Sequence, residues 1–255
     1  MSLSKTNHLS ILLSVLYLGL GIIFSLVLLI SIIQYYSFNQ SYFKKQFKKN
    51  HISSATGLSE SDLDKVIQQM TGYLSGSKTS FNLTLEINGK EVLVFNEREL
   101  AHMLDVKVIY ILLDKIKNFG ILLLGIFFIP YSIYVYFACR KHRNAKNVYL
   151  RRHYWMNLGK TMIFNGIFTV FFIAALGYML LTDFSKYFVI FHEVFFDNDL
   201  WLLDPQTDRL IQMLPEVFFY DISARMVSSY ALISLVLSLI GAFFFFLLRK
   251  DDHSI

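Results

Sequence analysis

A single cysteine, Cys139, in 255 residues excludes an internal disulfide framework. Its place at the end of an apolar run, among basic residues, argues for a reduced cytoplasmic setting and for no role of its own. Only three prolines occur, and the one inside a long apolar run, Pro130, reads as a tolerated kink; a transporter repeat would show matching breaks in two halves. Charge is scarce as well. Asp, Glu, Lys and Arg make up 17% of the chain against 55% hydrophobic residues, too little polar surface for a soluble globular domain. Within the apolar runs the central polar residues are neutral, such as Ser132 and Asn165, which leaves an ion pathway or proton relay little to work with. The net charge of +5 does not point to nucleic acid, because the basic residues stand beside the apolar runs and not along one amphipathic face. No nucleic-acid partner is expected.

What is present is four apolar stretches, 11–35, 117–138, 161–182 and 227–248, each long enough to cross about 30 Å of hydrocarbon. The first is too long for a secretory signal and is followed by Gln34, Tyr35 and Tyr36 instead of a small-residue cleavage site, so it is expected to remain as an anchor. The connection 139–160 holds Arg140, Lys141, Arg143, Lys146, Arg151, Arg152 and Lys160 and no acidic residue, which makes it cytoplasmic. The tail 249–255, opening with Arg249 and Lys250, agrees. Both termini are then cytoplasmic, and 36–116 and 183–226 face outward from a multi-pass protein of the cell membrane. Lys44, Lys45, Lys48 and Lys49 run against this assignment and are expected to rest on anionic lipid headgroups.

The first outward region reads as folded. Leu63, Val66, Ile67 and Met70 recur at helical spacing behind the capping candidates Ser59 and Ser61. Two alternating runs, 81–87 and 90–95, flank Asn88-Gly89, a strong hairpin signal. Asn96 with Glu99 forms a capping box for a helix leading towards the second span. The second outward region is dense in aromatics, from Phe188 to Tyr220, and reads as a loop at headgroup level. A hairpin is marginal alone, so it is expected to pack on this loop or on the membrane surface. The fold class expected is an all-α transmembrane protein, a four-helix membrane bundle with a small α+β extracellular cap.

Chemistry has few carriers. His102 and His192 fall at matching heights, one before the second span and one after the third, where an acid/base pair can work on a headgroup; a lone histidine is ordinarily a surface or satisfied core residue. His192, Glu193, Asp197 and Asp199 stand near one another as metal-ligand types, but they lack a second histidine at helical spacing, so no metal is expected. No glycine-flanked serine elbow appears. Asn82-Leu83-Thr84 matches a glycosylation sequon, a pattern frequent by chance. The alternation of acids and large apolar residues over 197–205 reads either as a loop dipping aromatics into the membrane or as a pocket wall whose acids receive an amine.

The segments 191–205 (Phe-His-Glu-Val-Phe-Phe-Asp-Asn-Asp-Leu-Trp-Leu-Leu-Asp-Pro), 210–218 (Leu-Ile-Gln-Met-Leu-Pro-Glu-Val-Phe) and 99–107 (Glu-Leu-Ala-His-Met-Leu-Asp-Val-Lys) resemble the lipoprotein intramolecular transacylase family of Gram-positive bacteria. Four spans with an outer cap agree; residues 36–80 show no such likeness. The resemblance implies an acyltransferase that moves the second acyl chain of a diacylglyceryl-modified lipoprotein onto the α-amino group of its N-terminal cysteine, giving a lyso-form lipoprotein. It implies His102 and His192 as catalytic residues and no cofactor. The partners are then diacylglyceryl-modified lipoproteins and membrane lipid. Phe191, Glu193, Phe195, Phe196, Asp197, Trp201 and Asp105 are expected to contact substrate, and which histidine is the base is left open. The competing readings are a non-enzymatic membrane receptor or scaffold with a partner-binding cap, for which the histidines are dispensable, and a metallohydrolase, which chelation would inactivate.

Overall fold

The structure is a computed structural model that describes residues 3–87, 89–141 and 145–250. Asn88, Arg143 and residues 251–255 of the expected tail lie outside the described residues, as do the side chains of Cys139, Lys141, Lys146 and Lys250. The elements in chain order are α1 (Leu3–Phe38), α2 (Gln40–Lys49), α3 (Ile52–Thr56), α4 (Glu60–Leu74), β1 (Thr84–Ile87), β2 (Lys90–Leu93), α5 (Glu97–Lys141), α6 (Ala145–Thr182), α7 (Phe184–Phe195), α8 (Arg209–Met213) and α9 (Glu216–Lys250). They divide into two units: Met1–Ser31, Lys115–Leu176 and Val227–Ile255 form one, and Ile32–Asp114 with Gly177–Met226 the other.

The first unit is built from the long apolar parts of α1, α5, α6 and α9, each apolar enough to cross a membrane. Its pattern is inverted relative to a soluble bundle. Phe171 is 73% exposed and Phe243 61%, while Ser25, Asn165, Thr169, Tyr230 and Ser234 are buried. Lipid solvates the exposed rings as well as a protein core would, so burial falls largely to small and polar residues, of which Ser25, Thr169 and Tyr230 hydrogen-bond between helices. Ser25 bonds the Tyr230 hydroxyl and lies 3.4 Å from Thr169 Oγ1, joining α1, α6 and α9. Glycines let the backbones approach. A Cβ on Gly241 would meet Met162 Cβ at 2.6 Å and the Gly159 carbonyl at 2.8 Å. Gly241→Ala is therefore expected to cost about 1–3 kcal/mol, the usual range for overpacking, and to lower the thermal midpoint in detergent. An unchanged midpoint would show that α6 and α9 do not pack this closely.

The second unit has a water-soluble type of core, formed by Phe43, Phe47, Ile52, Leu63, Val66, Ile67, Met70, Tyr73, Phe81, Leu85, Val94, Phe95, Met103, Leu210, Met213, Phe218 and Ile222. Helix α4 turns its 3.6-residue stripe inward, and Ser59 caps it by accepting the Asp62 N–H at 3.1 Å. The hairpin pairs antiparallel, Thr84 opposite Leu93 and Ile87 opposite Lys90, with Gly89 at a φ of +75° that suits a residue without a Cβ. Two strands alone are marginal, and this pair is held by Leu85 in the core and by Phe81 stacked on Phe95 at 4.4 Å. Helix α2, unread in the sequence, buries Phe43 and Phe47. Two of its lysines have protein partners: Lys44 pairs with Asp64 at 2.8 Å and Lys49 with Asp221.

Residues 183–226, read from the sequence as an aromatic loop, contain α7, α8 and the first turns of α9. The signals were punctuation, not composition. Asp183 ends α6 and caps α7 by accepting the Lys186 N–H at 3.0 Å, and Pro215 precedes the first residue of α9. Five of the twelve residues of α7 are Phe or Tyr, a content that reads equally as a loop at headgroup level.

Candidate active site

His102 stands near the start of α5, and the capping box beneath it fixes where that helix begins. The Glu99 N–H donates to Asn96 Oδ1 at 3.0 Å, and the Asn96 N–H donates to Glu99 Oε2 at 2.7 Å. At 45 residues α5 is about 67 Å long, twice what hydrocarbon requires. Asp105, Lys107, Asp114, Lys115 and Lys117 stand between His102 and its uninterrupted apolar part. His102 thus belongs to the second unit.

His192 lies in the last turn of α7, an amphipathic helix that exposes Phe191, Val194 and Phe195 and buries this histidine alone. Its Nδ1 lies 2.6 Å from the Phe188 carbonyl oxygen, one turn back. A carbonyl oxygen only accepts, so the proton sits on Nδ1 and the Nε2 lone pair is left free for chemistry.

The two imidazoles meet with ring centroids 6.1 Å apart and planes tilted by 34°. Each residue is 8% exposed. Phe196 wedges beside both, 5.2 Å from the His102 ring and 5.6 Å from that of His192, and Trp201 stacks on His192 at 4.9 Å. Burial in this apolar ring pushes the His102 pKa down to about 4, helped by the neighbouring His192 and opposed weakly by Asp105. Burial also lowers that of His192, against the bond to the Phe188 carbonyl, which favours the protonated form. Both rings are neutral at pH 7, the state in which an imidazole accepts a proton. His102 Nδ1 is buried without a hydrogen-bond partner among the described residues.

Of the residues expected to contact substrate, Phe191, Phe196 and Trp201 surround the pair, and Phe195 stacks on Phe191 at 4.7 Å. Asp105 lies one turn beyond His102 on α5, where it accepts a hydrogen bond from Asn198 Nδ2 at 2.9 Å. Glu193 and Asp197 are exposed while His192 is buried, so the metal-ligand cluster considered from the sequence does not converge: among the described residues no group of three or more His, Cys, Asp or Glu could hold an ion. Phe188 and Asp208 were not legible as site residues in the sequence. An i−4 relation to His192 marks Phe188 only once α7 is known to be a helix.

A chain with four helices long and apolar enough to cross a membrane, and with a second unit that buries a histidine pair, defines a multi-pass membrane protein of a specific kind. Residues 18–219 match the model of the family described as Lipoprotein intramolecular transacylase Lit. A solved structure of the membrane integral lipoprotein intramolecular transacylase Lit from Bacillus cereus is 20% identical and shares the fold at a TM-score of 0.67, over 98% of this chain and 100% of that one. A second structure of that protein, with a histidine replaced by alanine, gives 0.66 at 19% identity over all of both chains. An uncharacterized protein of Aquifex aeolicus (strain VF5) is 31% identical over 134 residues, 52% of this chain and 49% of that one. The chain spans about half the length of that curated relative. It belongs to the lipoprotein intramolecular transacylase family.

Proposed function

We propose that this protein moves the sn-2 acyl chain of a diacylglyceryl-modified lipoprotein onto the α-amino group of the same molecule's N-terminal cysteine. The observation that carries this reading is the pair of buried imidazoles, ring centroids 6.1 Å apart, enclosed by aromatic side chains. An α-ammonium must lose a proton before its nitrogen attacks an ester carbonyl, and the oxyanion that forms needs a donor. His192, its Nδ1–H held by the Phe188 carbonyl, offers Nε2 as the base; His102 faces it as the donor.

The atoms balance without a cofactor. Once the ammonium has given one proton through the base to solvent, the free amine nitrogen bonds to the ester carbon, the bond from that carbon to the sn-2 oxygen breaks, and the second proton that nitrogen sheds passes to the alkoxide. The product is an isomer of the substrate. Both reacting groups belong to one molecule, so the protein's task is to fold it until they meet and to exclude the water that would hydrolyse the ester. Phe191, Phe195, Phe196 and Trp201 line the place where that happens, and Asp105, Glu193 and Asp197 supply negative charge on the approach of the ammonium.

We assign the crossing parts of the helices to 11–35, 117–138, 161–182 and 227–248, with Arg140, Arg151, Arg152 and Lys160 on the cytoplasmic side by the positive-inside rule. The second unit and its histidines then face outward, where mature lipoproteins are displayed, and membrane lipid surrounds the first unit. The test is purified protein in lipid vesicles with a synthetic diacylglyceryl-cysteine peptide. Loss of the free amine is expected with the native peptide and no turnover with its N-acetylated form; release of free fatty acid from both would make the protein a hydrolase instead.

A further inference from the structure

We propose that Glu99 is a positioning residue for the histidine pair: a buried carboxylate clamp that holds the chain beyond His192 onto the helix that carries His102. The proposal rests on the reading of His102 and His192 as the catalytic pair, and its test has an arm that does not depend on that reading.

Glu99 is 1% exposed, which is rare for a carboxylate without a dedicated partner. A capping-box glutamate needs one oxygen for its own helix, and Glu99 Oε2 does that work at Asn96 N–H. The other oxygen has a different destination. Oε1 accepts the Leu210 N–H at 2.5 Å, at the first turn of α8 and 111 residues along the chain. One carboxylate thus satisfies an orphan donor at the start of each of two helices, α5 and α8.

A second bond runs beside it. The Asn96 side-chain amide donates to Asp208 Oδ1 at 2.8 Å, while Asp208 Oδ2 accepts the Asp204 N–H at 2.7 Å and closes the turn before α8. The segment pinned here is the one that begins at His192 and carries Trp201 onto its ring. His102 lies one turn above Glu99 on α5. The clamp therefore fixes both ends of the arrangement: the helix under one histidine and the lid of aromatic residues over the other.

Two further ties join the same segment to α5, Arg98 with Asp199 at 3.5 Å and Asn198 with Asp105 at 2.9 Å, but both are exposed and weakened by water. The carboxylate of Glu99 is shielded, and a donor left facing nothing in its place is costly. Alignment of the two rings accordingly depends on Glu99 more than on either outer tie.

The test uses the whole protein with Trp155→Phe, which leaves Trp201 as its only tryptophan. An imidazolium stacked on an excited indole accepts an electron and quenches it, so Trp201 emission should fall as His192 titrates below pH 6.5. Glu99→Gln keeps the shape but turns an NH2 towards one of the two N–H donors. Expected are a red-shifted Trp201 emission, loss of the pH-dependent quenching, and a kcat lowered about 10- to 100-fold with KM within about twofold. Emission and titration matching the Trp155→Phe parent would overturn the proposal. If Glu99→Gln gives no cooperative melt, Asp208→Asn is read the same way, with a smaller shift in the same direction expected and no shift overturning it. Should the parent itself lack transacylase activity, the proposed reaction fails while the fluorescence still reads the clamp.

Discussion

Replacing His192 with alanine is expected to reduce transfer of the acyl chain by about 10²- to 10⁴-fold, the range for loss of a positioned acid or base, while the protein melts cooperatively as before. The side chain removed sits in the last turn of α7, where its only hydrogen bond among the described residues is to a backbone carbonyl of the same helix. Its loss leaves no partner unpaired across the core, so the defect should fall on chemistry more than on folding. His102→Ala is expected to match it in size. Residues that act as one unit are not additive, so the double variant should be no slower than the worse of the two. Losses that multiply would show that the rings act in separate steps. Activity within twofold of wild type in both single variants would favour a receptor or scaffold whose histidines are spectators.

Acidification is expected to destabilise the second unit through His102. Its pKa in the fold, about 4, lies below the ordinary histidine value of 6.5. The unfolded chain therefore binds the proton first. The contribution to stability is complete above pH 6.5, falls as pH drops towards 4, and amounts to roughly 3 kcal/mol at about 1.4 kcal/mol per unit. His192 is shifted in the same direction and adds to the slope. Carboxylates such as Asp62, whose pKa is lowered by the Ser59 hydroxyl and Lys65, also lose stability in acid. The difference between wild type and His102→Gln isolates the imidazole. The melting midpoint of wild type should fall more steeply between pH 7 and 4.5 than that of the variant, and equal slopes would place His102 in water.

Much of this was legible in the sequence because the relevant signals are local. The apolar runs announce the spans, the stripe of Leu63, Val66, Ile67 and Met70 announces α4, and Asn-Gly between alternating runs announces the hairpin. Asn96 with Glu99 could be read as a cap for the same reason. Its other half could not, since the bond to Leu210 joins residues 111 apart and leaves no spacing to detect. The matching heights of His102 and His192 made a pair conceivable, and only tertiary packing decides that Glu193 and Asp197 stay exposed while Phe196 and Trp201 close over the rings. Helix α7 does carry a helical period, since Ser185, Lys186, His192 and Glu193 contrast with its apolar residues, but its aromatic content reads equally as a loop at headgroup level.

Intramolecular transfer is tested most directly by the mass spectrum of lipoprotein N-terminal peptides from cells that stop at the diacylglyceryl stage, with and without this protein. The account predicts an unchanged total mass, one acyl chain moved from glycerol to the cysteine nitrogen, and no such move with His102→Ala or His192→Ala. Peptides that keep both chains on glycerol and a free amine, with the protein present in the membrane, would contradict it.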